Sequence, residues 1–171
     1  TFKKNISIWY DEYLKNGLDA IISTTSGCGT TLKDYGFIFR LDNDLKKKAK
    51  KISELTKDIT EYLEDNVKLN FVKNNENNKT YKIAYHSACS MQHGQKIHNV
   101  PIELIRKTGN KVYDVPDGHL CCGSAGTYNL LQSDIAKKLL KDKIENIEKI
   151  KPQFISTGNI GCITQIANGT K

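Results

Sequence analysis

The chain has 171 residues, of which 38% are hydrophobic and 26% are charged, proportions that are typical of a globular protein. It contains no run of about 18 apolar residues, so we predict no membrane-spanning helix. The N-terminal stretch TFKKNISIWYDEY is amphipathic and charged, which does not fit a signal peptide. We therefore expect a reducing, cytoplasmic location, in which cysteines serve as metal ligands or redox thiols.

The formal net charge of +7 comes almost wholly from lysines that are spread along predicted helices. This distribution indicates solvated helix faces. Because aromatic residues do not interleave with the lysines, the sequence lacks the stacking platform of a nucleic-acid-binding protein, and we predict no nucleic-acid partner. The charge remains compatible with an acidic partner or with peripheral association at an anionic membrane surface.

The first part of the chain predicts two helices around a short strand, followed by one long helix. Residues 3–16 carry apolar residues at helical spacing, and Gly17 is expected to end this helix. The run LDAIIST, residues 18–24, predicts a buried strand, after which TSGCGTTLKDYG turns into a second helix. From Leu41 to Leu63 apolar residues recur every three or four positions, which predicts one amphipathic helix with Asp42 capping its start.

The second part of the chain alternates strands with helices after a polar stretch, KNNENNKT at residues 73–80, that predicts a linker. The predicted strands are residues 81–86, 111–115 and 152–157, and the predicted helices are residues 97–108 and 133–150. This alternation predicts an α/β fold with small parallel sheets flanked by helices.

A short pattern occurs twice along the chain. AIISTTSGCGT at residues 20–30 is similar to QFISTGNIGCIT at residues 153–164, and each copy combines a preceding helix, an IST strand and a Gly-Cys turn that opens a helix. The shared order predicts an internal duplication. No cysteine precedes Cys28 and the chain does not begin with Met, so we expect a fragment that starts inside the first module. Residues 1–72 would then hold the end of that truncated module with a connecting helix, and residues 81–171 the second module.

Four of the five cysteines lie in the predicted second module, each after a predicted strand and at an expected turn into a helix: Cys89, Cys121, Cys122 and Cys162. The turns that follow parallel strands form the ligand crevice of an open sheet, so these thiols are expected to converge. Thiolates bind metals and are stabilised near helix N-termini. Adjacent cysteines point in different directions and favour a multi-iron cluster over one tetrahedral ion. Gly123 and Gly126 are expected to let the backbone approach such a group.

Other interpretations of these cysteines stay open. Four cysteines also form structural zinc sites, although the chain lacks the C-x₂₋₄-C pairs that are usual there, and a zinc-stabilised docking module is the main alternative. A thiol–disulfide switch that uses Cys121 or Cys122 is a third. Cys28 is a candidate ligand of a separate site in the truncated first module. His86 and His119 lie close in sequence to the cysteines and are candidates for outer contacts to the metal centre.

The stretches YHSACSMQHGQKI, GHLCCGSAGTYNLLQ and NIGCITQIANGT, together with SGCGTTLKDYG in the first module, resemble the CCG-type cysteine-rich domain. This domain occurs, usually duplicated, in heterodisulfide reductase and in the iron–sulfur subunit of glycolate oxidase, to which the stretches are most similar. The resemblance implies an iron–sulfur cluster of the [4Fe–4S] type. It also implies a flavin-containing partner subunit that oxidises glycolate or a similar 2-hydroxy acid, with electrons passing through this subunit toward an acceptor of the respiratory chain at the inner face of the cell membrane. The substrate chemistry belongs to the flavin subunit, so no catalytic residue is expected here.

The chain departs from the pattern of heterodisulfide reductase, in which the motif ends Cys-x-x-Cys and five cysteines hold the cluster. Here Gln165 stands at the last position after Cys162, and Thr31 at the last position after Cys28. The resemblance therefore implies a four-cysteine site, with Gln165 or a histidine as a weak fifth ligand.

Overall fold

The computed structural model describes residues 1–70 and 79–170, and the chain divides into two compact units, Thr1–Asn66 and a second that begins at Val67. Most of the predicted linker, residues 73–80, lies outside the described residues. Within the described ranges, no helix combines the length and the apolar character needed to cross a membrane. The predicted domain boundaries and the identification of the first unit as a truncated module stay predictions.

The first unit packs helices against a two-stranded parallel sheet. Its elements are α1 (Phe2–Asn16), β1 (Ile21–Ser23), α2 (Ser26–Lys33), α3 (Tyr35–Ile38), α4 (Lys46–Leu55), β2 (Thr56–Asp58) and α5 (Ile59–Asn66). Strand β1 pairs with β2 so that Ile21 lies opposite Thr56. The core contains buried residues from α1, the α3 region and α4: Ile6, Tyr35, Phe39, Ala49 and Ile52. Helix α1 ends at Gly17, as predicted, where the backbone takes a φ of 77°.

The prediction of one long helix from Leu41 to Leu63 is wrong, because the helix ends at Leu55 and a strand follows. Thr56 and Asp58 are buried where β2 pairs with β1. These three residues, 56–58, therefore form a strand instead of continuing the helix. Helix α5 then begins afresh. The Asp58 carboxylate accepts a hydrogen bond from the Thr60 N–H at 2.9 Å, and Glu61 accepts one from the Asp58 N–H at 2.9 Å, which is a capping box. Asp42 does accept hydrogen bonds from the N–H groups of Asp44 and Leu45, just before α4 begins.

The second unit is built on three parallel strands in the order β4-β3-β5. Its elements are β3 (Lys82–Tyr85), a short π-helix (Ser90–Gln95), α6 (Asn99–Lys107), β4 (Lys111–Asp114), α7 (Tyr128–Leu131), α8 (Ser133–Ile150), β5 (Phe154–Ser156) and α9 (Ile160–Gly169). In the central strand β3, Ala84 lies opposite Tyr113 on one side and Ile155 on the other. The predicted α/β fold with small parallel sheets flanked by helices is confirmed.

The order helix, strand, helix is the same in α1–β1–α2 of the first unit and α8–β5–α9 of the second. In both cases a cysteine lies in the first turn of the helix that follows the strand, Cys28 in α2 and Cys162 in α9. These shared features are those of the sequence repeat, and the duplication itself stays a prediction.

The connection from β4 to α7 is a long loop, so Cys121 and Cys122 do not lie at a helix start as the sequence suggested. Four of its residues have positive φ, which prevents a helix: Asp117, Gly123, Ala125 and Gly126. A side chain at Gly123 would place its Cβ 2.4 Å from the carbonyl oxygen of Ala136 on α8. The glycine therefore lets the loop lie directly against α8.

We expect Ile6→Ala to lower the free energy of unfolding of the first unit by about 2–5 kcal/mol, because it opens a cavity in a core where Ile6 is 0% exposed. The measurement is denaturant unfolding followed by the fluorescence of Trp9, the chain's single tryptophan, which packs against this core. Ile8→Ala is the matched control on the same helix, since Ile8 is 52% exposed and its loss costs about 0.5 kcal/mol or less. Equal losses of stability in the two variants would show that Ile6 does not lie on the buried face of α1.

We expect Gly123→Ala to lower the free energy of unfolding of the metal-free protein by about 3 kcal/mol, because it adds a clash with Ala136 to the cost of a positive φ. Gly126→Ala is the control: it has a positive φ of 63° but no described atom within 4 Å of the added Cβ, and is expected to cost about 1 kcal/mol. Circular dichroism during urea unfolding measures both. A Gly123→Ala variant no less stable than Gly126→Ala would show that the loop does not pack on α8 as described.

Candidate metal centre

The candidate site lies at the carboxyl edge of the second sheet, where the segments after β3, β4 and β5 meet. His86 follows β3 directly, and its N–H continues the ladder by donating to the carbonyl of Ser156 at 2.8 Å. Cys89 comes three residues later, at the start of the π-helix. The loop after β4 carries Cys121 and Cys122, and α9 carries Cys162 in its first turn.

The structure places the four cysteines of the second unit in one continuous series of thiol contacts. The side chain of Cys121 interacts with those of Cys89 and Cys122, and the side chain of Cys122 interacts in turn with that of Cys162. His86, Cys122 and Cys162 each offer a ligand atom, and these three atoms lie within 4.8 Å of one another. The group therefore has the donor atoms of a metal centre, from three different segments of the chain.

Burial differs along the series. Cys122 and Cys162 are 1% and 4% exposed and belong to the hydrophobic core, where they pack with residues such as Ala84 and Ile147. Cys121 is half-buried and Cys89 is exposed. One end of the series thus lies in the dry interior of the unit, and the other end lies at its surface.

Hydrogen bonds made by side chains tie the three segments together. Asn159 caps α9, accepting from the N–H of Gly161 at 2.9 Å and of Cys162 at 3.4 Å, and its amide donates to Ser90 Oγ at 3.3 Å. Gln92 of the π-helix donates to the carbonyl of Gly118 in the β4–α7 loop at 2.9 Å. The positions of the cysteines are therefore fixed by polar contacts outside the thiol series.

The electrostatics of the site favour neutral thiols at Cys89, Cys121 and Cys122 when no cation is bound. Burial raises the pKa of Cys89, and the hydrogen bond with Cys122, together with burial, raises that of Cys121. For Cys122 the hydrogen bond with Cys121 lowers the pKa, but the bond with Cys162 and burial outweigh it and raise the pKa to about 11. A bound cation would displace these protons, because the thiolate is the form that binds metal.

His86 is 1% exposed, and burial, with a smaller contribution from Lys143, lowers its pKa to about 4. The imidazole is therefore neutral at physiological pH. Its Nδ1 is buried and has no hydrogen-bond partner among the described residues, an arrangement that is costly in a protein interior unless another group satisfies the nitrogen. Four thiols and an unsatisfied imidazole nitrogen together fit a soft metal ion or an iron–sulfur cluster.

Lys143 was not among the residues that the sequence analysis selected. It lies on α8 and is only 2% exposed, and its Nζ donates to the carbonyl of Asp117 at 2.9 Å. The signal that could have found it is its position on the helix, since it falls within the apolar stripe formed by Ala136, Leu140, Ile147 and Ile150. A lysine at such a position requires a partner inside the protein.

The remaining predicted residues are not part of the described thiol contacts. His119 is exposed, and its carbonyl oxygen is 3.5 Å from Nε2 of His93. Gln165 accepts a hydrogen bond from the Asn129 amide at 3.5 Å. Gly126 faces open space. Cys28 is exposed in the first unit. Their roles as outer contacts or ligands stay predictions.

Comparisons with known proteins agree with the cysteine pattern. Residues 83–167 match the family model of the CCG cysteine-rich domain. The chain is 38% identical over 167 residues to the glycolate oxidase iron-sulfur subunit of Escherichia coli (strain K12), an alignment that covers 97% of this chain and 40% of that protein.

The chain is also 28% identical over 149 residues to lactate utilization protein A of Geobacillus thermodenitrificans (strain NG80-2), covering 86% of this chain and 61% of the relative. For the same protein of Geobacillus sp. (strain WCH70) the identity is 25% over 154 residues, covering 90% and 63%. The chain thus spans less than two thirds of the length of each of these relatives. Residues 83–167 therefore match the CCG cysteine-rich domain, which confirms the resemblance that the cysteine motifs indicate.

Proposed function

We propose that the second unit binds an iron–sulfur cluster of the [4Fe–4S] type through Cys89, Cys121, Cys122 and Cys162, and that the chain is an electron-transfer part of an oxidoreductase complex. The observation that carries the proposal is the series of thiol contacts from Cys89 to Cys162, which brings together four soft ligands from three turns. The similarity to an iron-sulfur subunit over nearly the whole chain supports it.

The substrate class is proposed from the names of the relatives, one a glycolate oxidase subunit and the others lactate utilization proteins. Both glycolate and lactate are 2-hydroxy acids, so we propose a complex that oxidises a compound of this class. A flavin-containing partner subunit would carry out that oxidation, and this chain would pass the electrons toward an acceptor of the respiratory chain. Its place would be the cytoplasm, at the inner face of the cell membrane.

The side chains of the site suit electron transfer in two ways. The interior position of Cys122 and Cys162 keeps water away from one side of the group, whereas the exposed Cys89 brings the other side close to the surface that a partner would contact. The Gly123 N–H donates to the Cys121 sulfur at 3.3 Å, and hydrogen bonds to sulfur set the reduction potential of such groups. When bound, the cluster would supply a site that accepts and releases single electrons.

Zinc binding is a second candidate, favoured by one observation. His86, Cys122 and Cys162 lie within 4.8 Å of one another, and a mixed histidine–cysteine group is a common zinc site. In that case the unit would be a zinc-stabilised docking module without a redox role. Structural zinc is coupled to folding, so this alternative predicts that removal of the metal unfolds the unit.

We expect Cys122→Ser to abolish most of the visible absorption of the anaerobically reconstituted protein and to lower its content of iron and sulfide, because serine is a poor ligand for a soft metal. The fold should survive, since the core consists mainly of residues such as Ala84, Ile147 and Ile166. Cys28→Ser is the matched control, because Cys28 lies outside the thiol series, and should keep colour and iron content. Absorption spectroscopy, metal analysis and circular dichroism provide the measurements.

Two results would contradict the proposal. A wild-type chain that binds zinc but never iron and sulfide would favour the docking module, particularly if chelation then unfolds the second unit. A Cys122→Ser variant that retains full colour would exclude Cys122 from the cluster.

A further inference from the structure

Lys143 places a cation in the interior beside the metal centre, and its neighbours are unusual for a lysine. The side chain projects from the middle of α8 and is 2% exposed. Ile147, one turn farther along α8, packs in the same core as Cys122 and Cys162. Burial lowers the pKa of Lys143, and the acidic groups of Cys122, Asp117, Cys121 and Cys162 act in the opposite direction. A buried ammonium normally lies beside a carboxylate, and here most of the acidic groups that act on it are thiols.

The hydrogen bond to the Asp117 carbonyl holds the ammonium in place without neutralising it. A lysine ammonium has three N–H donors, and a carbonyl oxygen is a neutral acceptor. The Asp117 side chain is exposed and accepts from the Asn146 amide at 3.4 Å, so part of its charge is screened by solvent. The positive charge of Lys143 is therefore compensated incompletely as long as the thiols stay protonated.

Metal binding changes this balance. Each cysteine gives up its proton to solvent when it becomes a ligand, and a centre held by several thiolates carries net negative charge. That charge would then lie next to the buried ammonium, in surroundings of low dielectric constant where charges interact strongly. His86 also faces Lys143, but it is neutral and offers no compensating charge.

We propose that Lys143 is a positioning residue of the metal centre, whose buried ammonium compensates the negative charge that Cys121, Cys122 and Cys162 carry once they bind metal. The inference rests on the proposed function insofar as it takes these cysteines as metal ligands. Helix α8 would then contribute to the metal centre, which the cysteine motifs alone do not indicate. Lys143 stabilises the loaded site, whereas in the metal-free protein it is a buried charge with a neutral hydrogen-bond acceptor.

The test compares Lys143→Met, which removes the charge but keeps most of the length, with Lys143→Arg, which keeps the charge. Lys138→Met is the matched control, an exposed lysine on the same helix. For the whole 171-residue chain, the apparent dissociation constant for Zn²⁺ is measured anaerobically by competition with a chromophoric chelator. We expect Lys143→Met to raise this constant about tenfold or more, as the loss of outer contacts to a metal does. Lys143→Arg should recover most of the affinity, and Lys138→Met should match the wild type.

Thermal unfolding of the metal-free proteins distinguishes charge compensation from a merely structural role. Metal-free Lys143→Met should unfold at the same temperature as the wild type or at a higher one, because replacing an uncompensated buried charge by an apolar side chain does not destabilise. A variant that fails to fold without metal, or unfolds at a lower temperature, would overturn the proposal in favour of a structural lysine. Equal losses of affinity in Lys143→Met and Lys143→Arg would overturn it too.

Reconstitution with iron and sulfide gives a second readout. A nearby positive charge stabilises the reduced, more negative form of a cluster, so Lys143→Met should have a lower midpoint potential than the wild type and Lys138→Met the same one. An unchanged potential in Lys143→Met would contradict the inference while leaving the proposed function intact. If the wild type binds zinc but not iron and sulfide, the proposed function fails and the zinc affinities alone decide the role of Lys143. If it binds neither, both proposals are wrong.

Discussion

The parallel alignment of β3, β4 and β5 is the constraint on which the candidate site depends. Parallel strands end at the same edge, so the segments that follow them meet there although they are far apart in sequence. Cys89, Cys122 and Cys162 each come from a different one of these segments. An antiparallel order would send at least one of them to the opposite edge, and the thiol series would not exist.

The site combines interior packing with groups that a protein interior does not tolerate well on their own. Cys122 and Cys162 pack in the core as small apolar residues, but the buried Nδ1 of His86 has no partner among the described residues, and Lys143 has a charge that its hydrogen-bond acceptor does not neutralise. The imidazole nitrogen requires a group that accepts its electron pair, whereas the ammonium requires negative charge nearby. A cation held by thiolates would satisfy both, which is the physical reason for treating the group as a metal centre rather than as part of the core.

The sequence predicted the elements that surround the site because their signals are local. The helix predicted at residues 133–150 matches α8, and all three strands of the second unit lie within their predicted ranges. The failure at residues 41–63 has a specific cause: the apolar period continues through Thr56–Asp58, so the strand is invisible to periodicity. The D-x-x-E pattern at Asp58–Glu61 marks the start of α5 and could have revealed the break.

Other features depend on contacts between distant residues and could not be predicted locally. The predicted role of Gly123 in cofactor binding stays a prediction. Its close approach to the carbonyl of Ala136 was not predicted, because only the packing of the loop on α8 creates this contact. The loop around Cys121 is not helical because Asp117 and Ala125 have positive φ. Aspartate and alanine also occur at helix starts, so these residue types did not reveal the loop. The lysines as a group were predicted to lie on solvated helix faces, but Lys143 is buried, as its position in the apolar stripe of α8 indicates.

The most direct test of the central claim, that the thiols of the second unit bind one iron–sulfur centre, is anomalous X-ray diffraction at the iron absorption edge from crystals of the anaerobically reconstituted chain. The account predicts iron signal at the carboxyl edge of the second sheet, in contact with the sulfurs of Cys89, Cys121, Cys122 and Cys162. Iron absent from this edge, or a single zinc ion bound by His86, Cys122 and Cys162, would contradict it.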